Sequence, residues 1–366
     1  MGEPLVNRYN PNYVSAPGET LLEAIEALGM SQAQLAERTG KSKKNVNEII
    51  KGKAPITPET ALQLERAIGM PARFWNNRER YYREWLAREA EQERLSQQVE
   101  WLKKFPVKDM IKKGWIEQRG GKVEQLRELL NFFGVVEPGQ VEQLKVIGQV
   151  AFRKARTYAW DEYALAAWLR RGELLAQDVA CKRYDKAAFR AALQEIRGLT
   201  RDAPEDARPQ LVQACAEAGV AVVFVPELPK TRVSGATRWL TPTKALVQLS
   251  FRYKLDDQIW FSFFHEAAHI LLHGKRQVFV DAADDDSDQP GDKEEEEANQ
   301  FATDHLIPPA EFVDFLASWR HSNAEIERFA YRVGIAPGIV VGRLQREGRL
   351  PFTHGNRLKR RFLCAN

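Results

Sequence analysis

The 366-residue sequence is poor in cysteine, in long apolar runs and in charge of one sign. Its three cysteines, Cys181, Cys215 and Cys364, are odd in number and far apart. That excludes a disulfide framework and any cysteine-based metal spacing. No stretch approaches the ~18 consecutive apolar residues of a membrane-spanning helix, and the first residues contain no apolar core of a secretory signal. Gly2 is not followed by the Ser or Thr that a myristoyl signal requires. No membrane is expected as a partner, and the cytoplasm is the expected location. With a net charge of only +4, no global field points at nucleic acid, so charge has to be read locally. What is plentiful is ordinary: 44% hydrophobic and 28% charged residues, the composition of a globular chain that can bury a sizeable core. The length suits two or three domains.

Residues 1–16 read as an extended arm. From Thr20 to Gly69 four short helical patterns follow, "TLLEAIEALG", "SQAQLAERTG", "SKKNVNEIIKGK" and "TPETALQLERAIG", each starting near a capping residue and most closing on glycine. A longer helix opens at Pro71. Residues 96–205 are helix-rich and charged, without a catalytic constellation. The pattern then changes: "GVAVVFVPEL" and "KALVQLS" are apolar, β-branched runs of strand length. "SGATRWL" between them reads as a third strand whose glycine permits a close backbone approach. Residues 281–297 carry ten acidic side chains against Lys293 alone. The chain closes on helical patterns and a basic tail, "NRLKRRFLCAN". The expected fold is mainly α with a small β-sheet (α+β). Its expected divisions are a helix-turn-helix domain over 17–95, a helical middle over 96–205, a site-bearing domain over 206–310 and a helical extension over 311–366.

The motif that carries chemistry is "FFHEAAHILLHGK". His265 and His269 are four apart, so on a helix both imidazoles share one face. Glu266, rotated ~100° from His265, reaches a metal-bound water rather than the metal. H-E-x-x-H therefore offers two zinc ligands and a general base within one turn. His273 continues the stripe one turn further, too far to share the ion, and reads as a core or supporting histidine. A catalytic zinc site needs a third protein ligand, and "EEEEANQFATDHL" supplies candidates. Zinc peptidases commonly take a Glu from a second helix, with Asp or Asn four residues later supporting the first histidine. Glu295 with Asn299 fits that arrangement; Glu294, Glu296, Glu297 and His305 are the rivals. Acidic residues there also suit a helix start.

These two stretches, "WFSFFHEAAHILLHGK" and then "EEEEANQFATDHLIPP", resemble the ImmA/IrrE family of zinc metallopeptidases. The resemblance covers roughly residues 205–310, and the long acidic insertion Asp281–Asp292 departs from it. It implies a zincin-like metallopeptidase domain, an endopeptidase with Zn2+ as cofactor and a regulatory protein, such as a repressor or a toxin, as substrate. Arg238 in "GATRW" is a candidate substrate-binding or carbonyl-polarising group, with a salt bridge as its alternative use. An extended peptide is expected to add to the edge formed by Val220–Val225 and Ala245–Leu249.

In the N-terminal region, "MSQAQLAERTGKSKKNVNEIIKGK" has a helix-turn-helix arrangement. Leu35 and Ala36 pack the first helix, Gly40 makes the turn, and Val46, Ile49 and Ile50 anchor the second. Ser42, Lys43, Lys44, Asn45 and Asn47 then lie at the outward end that enters a major groove. Between Lys41 and Lys53, which include Lys51, five lysines face one acid, a local phosphate-binding charge. Lysine suits phosphate or guanine and asparagine suits adenine. The stretch resembles the Xre or lambda-repressor-like fold, and residues 20–90 resemble HigA-type antitoxins. That implies repression of an operator in double-stranded DNA by a homodimer, with Gln32 on a phosphate and Gln34 as its rival. Three functions follow as expectations, one of them a plain peptidase whose N-terminal domain merely binds protein. Another is a DNA-binding regulator with a working zinc endopeptidase; the third is an antitoxin-like repressor whose peptidase fold only senses or binds a toxin. A later echo, "IERFAYRVGIAPGIVVGRLQREGRL", reads as a structural helix pair rather than a second nucleic-acid contact.

Overall fold

The computed structural model describes residues 14–144, 161–250, 255–275, 278–282 and 293–362. The first thirteen residues of the expected arm and residues 283–292 of the acidic insertion lie outside them. The chain divides into two compact units, Met1–Val99 and Glu100–Asn366.

The first unit is built from α1 (Pro17–Ala27), α2 (Gln32–Thr39), α3 (Lys43–Ile50), α4 (Pro58–Ile68) and α5 (Ala72–Ser96). The capping residues read from the sequence set the boundaries. Ser31, Ser42 and Thr57 each accept a backbone N–H at the start of α2, α3 and α4, filling donors that the first helical turn leaves open. Gly40 takes the left-handed conformation (φ 68°) that ends α2, which a β-carbon would disfavour. Leu21, Ile25, Leu35, Ala36, Val46, Ile49, Leu64 and Trp75 fill the core, so the residues expected to pack the helix pair do so.

In the second unit, α6 (Val107–Lys112), α7 (Lys122–Phe133) and α8 (Pro138–Gln143) come first. They lead to α9 (Glu162–Asp178), α10 (Lys186–Leu199) and α11 (Pro204–Glu217). The sheet consists of β1 (Val220–Phe224), β2 (Val233–Thr241), β3 (Lys244–Leu249) and β4 (Phe279–Ala282), with α12 (Asp256–Leu272) inserted before β4. After it come α13 (Lys293–Leu306), α14 (Pro309–Ser318), α15 (Asn323–Val333) and α16 (Pro337–Arg346). Strand order is β1-β3-β2-β4, with β1 parallel to β3 and the other two pairs antiparallel.

Helices cover both faces of this sheet. On one side Trp168 Nε1 of α9 donates to Val225 O (3.0 Å) and Gln248 Nε2 donates to Trp168 O (2.7 Å). On the other side α12 packs against β2, where Thr237 Oγ1 donates to Glu266 O (3.1 Å). Among the described residues no helix is long and apolar enough to cross a membrane.

The structure corrects two expectations. Phe189, Leu193 and Ile196 of α10, Phe263 and Phe264 of α12, and Phe312, Phe329, Val340 and Phe362 belong to one continuous apolar cluster. The expected divisions at 205/206 and 310/311 therefore cut through a single core. Strand β3 lies between β1 and β2, and β1 is buried along its whole length. Of the pair expected to offer a peptide edge, β3 is thus paired on both sides and β1, although it ends the sheet, is buried; the strand that ends the sheet beside α12 is β4. That strand was missed in the sequence, although "VFV" in "QVFVDA" is a short β-branched and aromatic apolar run. The α15–α16 pair is structural, as expected: Arg343 donates to Ile307 O (2.9 Å), and the Arg346 guanidinium lies 4.3 Å from the Phe261 ring centre.

Candidate metal centre

Helix α12 is almost wholly buried because apolar residues surround the motif on every side. Two buried aspartates start it, and the basic tail pairs with both. Asp256 accepts from Arg360 N (3.0 Å) and Arg360 Nε (3.1 Å), and Asp257 Oδ2 meets Lys359 Nζ at 2.7 Å. Arg360 also donates to Thr200 O, Arg201 O and Asp202 O. Burial pushes the Asp257 carboxyl up, while the ion pair with Lys359 opposes that. The tail thus anchors the helix that carries the motif, a role with no local signal in the sequence.

More than two helical turns later, His265 and His269 point their Nε2 atoms at one place, 3.1 Å apart. Glu295 Oε2, from α13, lies 3.1 Å from His265 Nε2 and 3.6 Å from His269 Nε2. With zinc bonds of ~2.0–2.1 Å, ligand atoms at the corners of a tetrahedron are about 3.3–3.4 Å apart. The three separations bracket that edge, and the donor set of two imidazoles and a carboxylate suits zinc. The residues fit the metal. Burial disfavours the charge on Glu295, but the hydrogen bonds and charge of His265 and His269 outweigh it and hold its carboxyl well below the usual carboxylate range. Burial pushes the His269 imidazole down, opposed by Glu295.

Both ligand rings are braced from behind. His265 Nδ1 is 3.1 Å from Asn299 Oδ1, and His269 Nδ1 is 2.8 Å from His273 Nδ1. His273 Nε2 in turn lies 3.3 Å from Glu297 Oε2. Phe279 of β4 stacks on His269 with ring centres 3.9 Å apart. His305, one of the rival ligands, is used elsewhere: its Nε2 is 3.1 Å from Leu193 O and its ring stacks on Phe301. Glu297 faces His273 rather than the ligand atoms.

Glu266 is fully buried against β2. A β-carbon on Gly235 would stand 2.4 Å from Glu266 Oε1 and 2.7 Å from its Cγ, so the strand can approach only as glycine. The close approach expected at this glycine is made to the candidate base itself. Arg238 corrects another expectation. Side chains alternate along a strand: Gly235 and Thr237 face α12, so Arg238 faces α9. There it is buried, its Nη2 3.2 Å from Leu169 O and 3.4 Å from Glu173 Oε2. Placed on the opposite face of the sheet, Arg238 cannot reach a substrate at the metal centre.

In the first unit Lys43, Lys44 and Lys51 are exposed on and beside α3, with Asn45 and Asn47 half-buried. Ser42 caps α3 through Asn45 N (3.1 Å), and Lys44 pairs loosely with Glu48 at 3.9 Å. Gln34 is engaged in a capping box with Ser31 (2.8 Å), and Gln32 is half-exposed at the first position of α2.

Comparison with known proteins returned matches at both ends of the chain. A family model described as helix-turn-helix matches residues 21–75, and one described as IrrE N-terminal-like domain, a peptidase family, matches residues 218–345. No curated protein matches. Among solved structures, a protein from Nostoc punctiforme described as an antidote of a plasmid maintenance system is 30% identical. That alignment covers 23% of this chain and 91% of that one, with a TM-score of 0.22. An addiction module antidote of the HigA family from Coxiella burnetii is likewise 30% identical, covering 23% of this chain and 92% of that one, with a TM-score of 0.22. The chain thus carries a helix-turn-helix domain over residues 21–75 and an IrrE N-terminal-like domain over residues 218–345.

Proposed function

We propose that the protein is a DNA-binding regulator carrying a zinc-dependent endopeptidase, with a regulatory protein such as a toxin, a repressor or the chain itself as substrate. The observation that carries this reading is the convergence of His265, His269 and Glu295 on one point, with the buried Glu266 next to His265 in the chain. A zinc ion held by these three residues supplies Lewis-acid charge at a peptide carbonyl and acidifies water there. Glu266, not among the ligands, takes the proton of the attacking water and delivers it to the leaving amine. Gly235 keeps the strand off the Glu266 carboxylate, and Asn299 holds the His265 ring. The exposed lysines of α3, with Asn47 and Gln32, are assigned to a palindromic operator bound by a homodimer.

A second reading, in which the peptidase fold is a sensor or toxin-binding body without proteolysis, is favoured by one observation: the β1–β3 pair expected to receive a peptide is buried along nearly its whole length. One comparison separates the two. Wild type and Glu266→Gln are each co-expressed with the products of neighbouring reading frames, and cleavage and operon derepression are followed. The amide still hydrogen-bonds water but accepts no proton, so the variant should keep zinc and DNA binding while cleavage falls by about 10²–10⁴-fold. Equal behaviour of the two proteins leaves the sensor reading standing.

A further inference from the structure

We propose that His273 and Glu297 form a positioning pair that fixes the ring and the tautomer of His269, so that the metal centre is held by a Glu–His–His line as well as by its three ligands. The proposal rests on the reading of His265, His269 and Glu295 as a metal site.

Proton placement along this line has a single consistent solution. His269 turns Nε2 toward His265 and Glu295, so the lone pair that binds metal is on Nε2 and the ring proton is on Nδ1. A neutral imidazole has one donor and one acceptor nitrogen. At 2.8 Å the Nδ1 atoms of His269 and His273 can bond only if one donates and the other accepts, so His273 Nδ1 accepts. The proton of His273 is then on Nε2, the atom that lies 3.3 Å from Glu297 Oε2. Every contact is satisfied by this one assignment, and the reverse assignment removes the metal-binding lone pair.

The backbone keeps the step that this contact needs. His273 ends α12 in an extended conformation (φ −107°, ψ 171°), with its N–H still bonded to His269 O at 3.1 Å. It therefore retains the four-residue spacing that sets side chains of successive turns against each other, and its side chain is 4% exposed. Phe279 closes the other side, stacked on His269 and 5.3 Å from the His273 ring centre. The two ligand histidines are thereby braced alike at Nδ1 by α13, His265 directly by Asn299 and His269 through His273 by Glu297. Partners of this kind orient ligands and commonly set metal affinity within 10–100-fold.

The test measures zinc affinity by competition with a chromophoric chelator, on the full chain, for wild type, His273→Ala, His273→Gln and Glu297→Gln. His273→Ala should weaken zinc about 10–100-fold. His273→Gln, whose carbonyl can accept from His269 Nδ1–H, should recover part of that loss, and Glu297→Gln should lose less than His273→Ala. Histidine 15N spectra of the wild type supply a readout that a purely structural role would not move: His269 protonated at Nδ1 and His273 at Nε2. Zinc affinity of His273→Ala within twofold of wild type, or His273 protonated at Nδ1, overturns the pair while leaving the metal site intact. A wild-type chain that takes up no zinc removes the site, and the pair with it.

Discussion

Helix α3 turns Lys43 and Lys44 to solvent and buries Val46 and Ile49, whereas α12 buries His265, Glu266 and His269 together with Asp256 and Asp257. A nucleic-acid surface needs charge that a ligand can reach, so its residues depend on their neighbours only for a frame. A buried metal centre has to satisfy every polar atom from within the protein. Its residues therefore depend on a glycine in β2, three side chains of α13, a stacked Phe279 and a tail nearly a hundred residues away. The difference predicts how each region responds to substitution: α3 should lose binding without losing stability, and α12 should lose both together.

The largest effect is expected where a buried charge loses its partner. Lys359→Ala leaves Asp257 buried and unpaired, and removing one member of such a pair costs about 3–5 kcal/mol. Urea unfolding followed by far-ultraviolet circular dichroism reads it; a cost under ~1 kcal/mol would show that the tail is not an anchor of α12. Next is Gly235→Ala. Its methyl group would overlap the Glu266 carboxylate, an overpacking of about 1–3 kcal/mol, and cleavage should fall while zinc stays bound. Unchanged cleavage with unchanged zinc would separate Glu266 from the chemistry.

In the first unit the effects are smaller. Ser42→Ala removes the cap of α3, about 1 kcal/mol, and weakens DNA binding only through that helix start. Lys44→Ala should leave stability within ~0.5 kcal/mol while lowering the slope of log affinity against log salt by about one. A gel-shift titration across salt checks it, and a stability loss from Lys44→Ala as large as that from Gly235→Ala would erase the contrast between the two regions.

The same contrast explains what was legible in the sequence. Both helix-turn-helix boundaries and the H-E-x-x-H turn are local, so capping residues and helical phase disclose them. Glu295 stood in a run of four glutamates, and the four-residue step to Asn299 singled it out, because both must lie on one face of α13. Of the two uses open to Arg238, the ion pair with Glu173 is the one the fold allows: three residues from the glycine that touches α12, it has to face the other way. Strand order was illegible, since β3 pairs in parallel with β1 across an intervening strand. Nothing near Lys359 and Arg360 marks them as partners of aspartates a hundred positions earlier.

The account stands most directly on the metal content of the purified chain. Elemental analysis after exhaustive dialysis should find about one zinc per chain in the wild type and in Glu266→Gln, and essentially none in His269→Ala or Glu295→Ala. Zinc content unchanged by His269→Ala and Glu295→Ala, or absent from the wild type, would contradict the assignment of these residues as a metal centre.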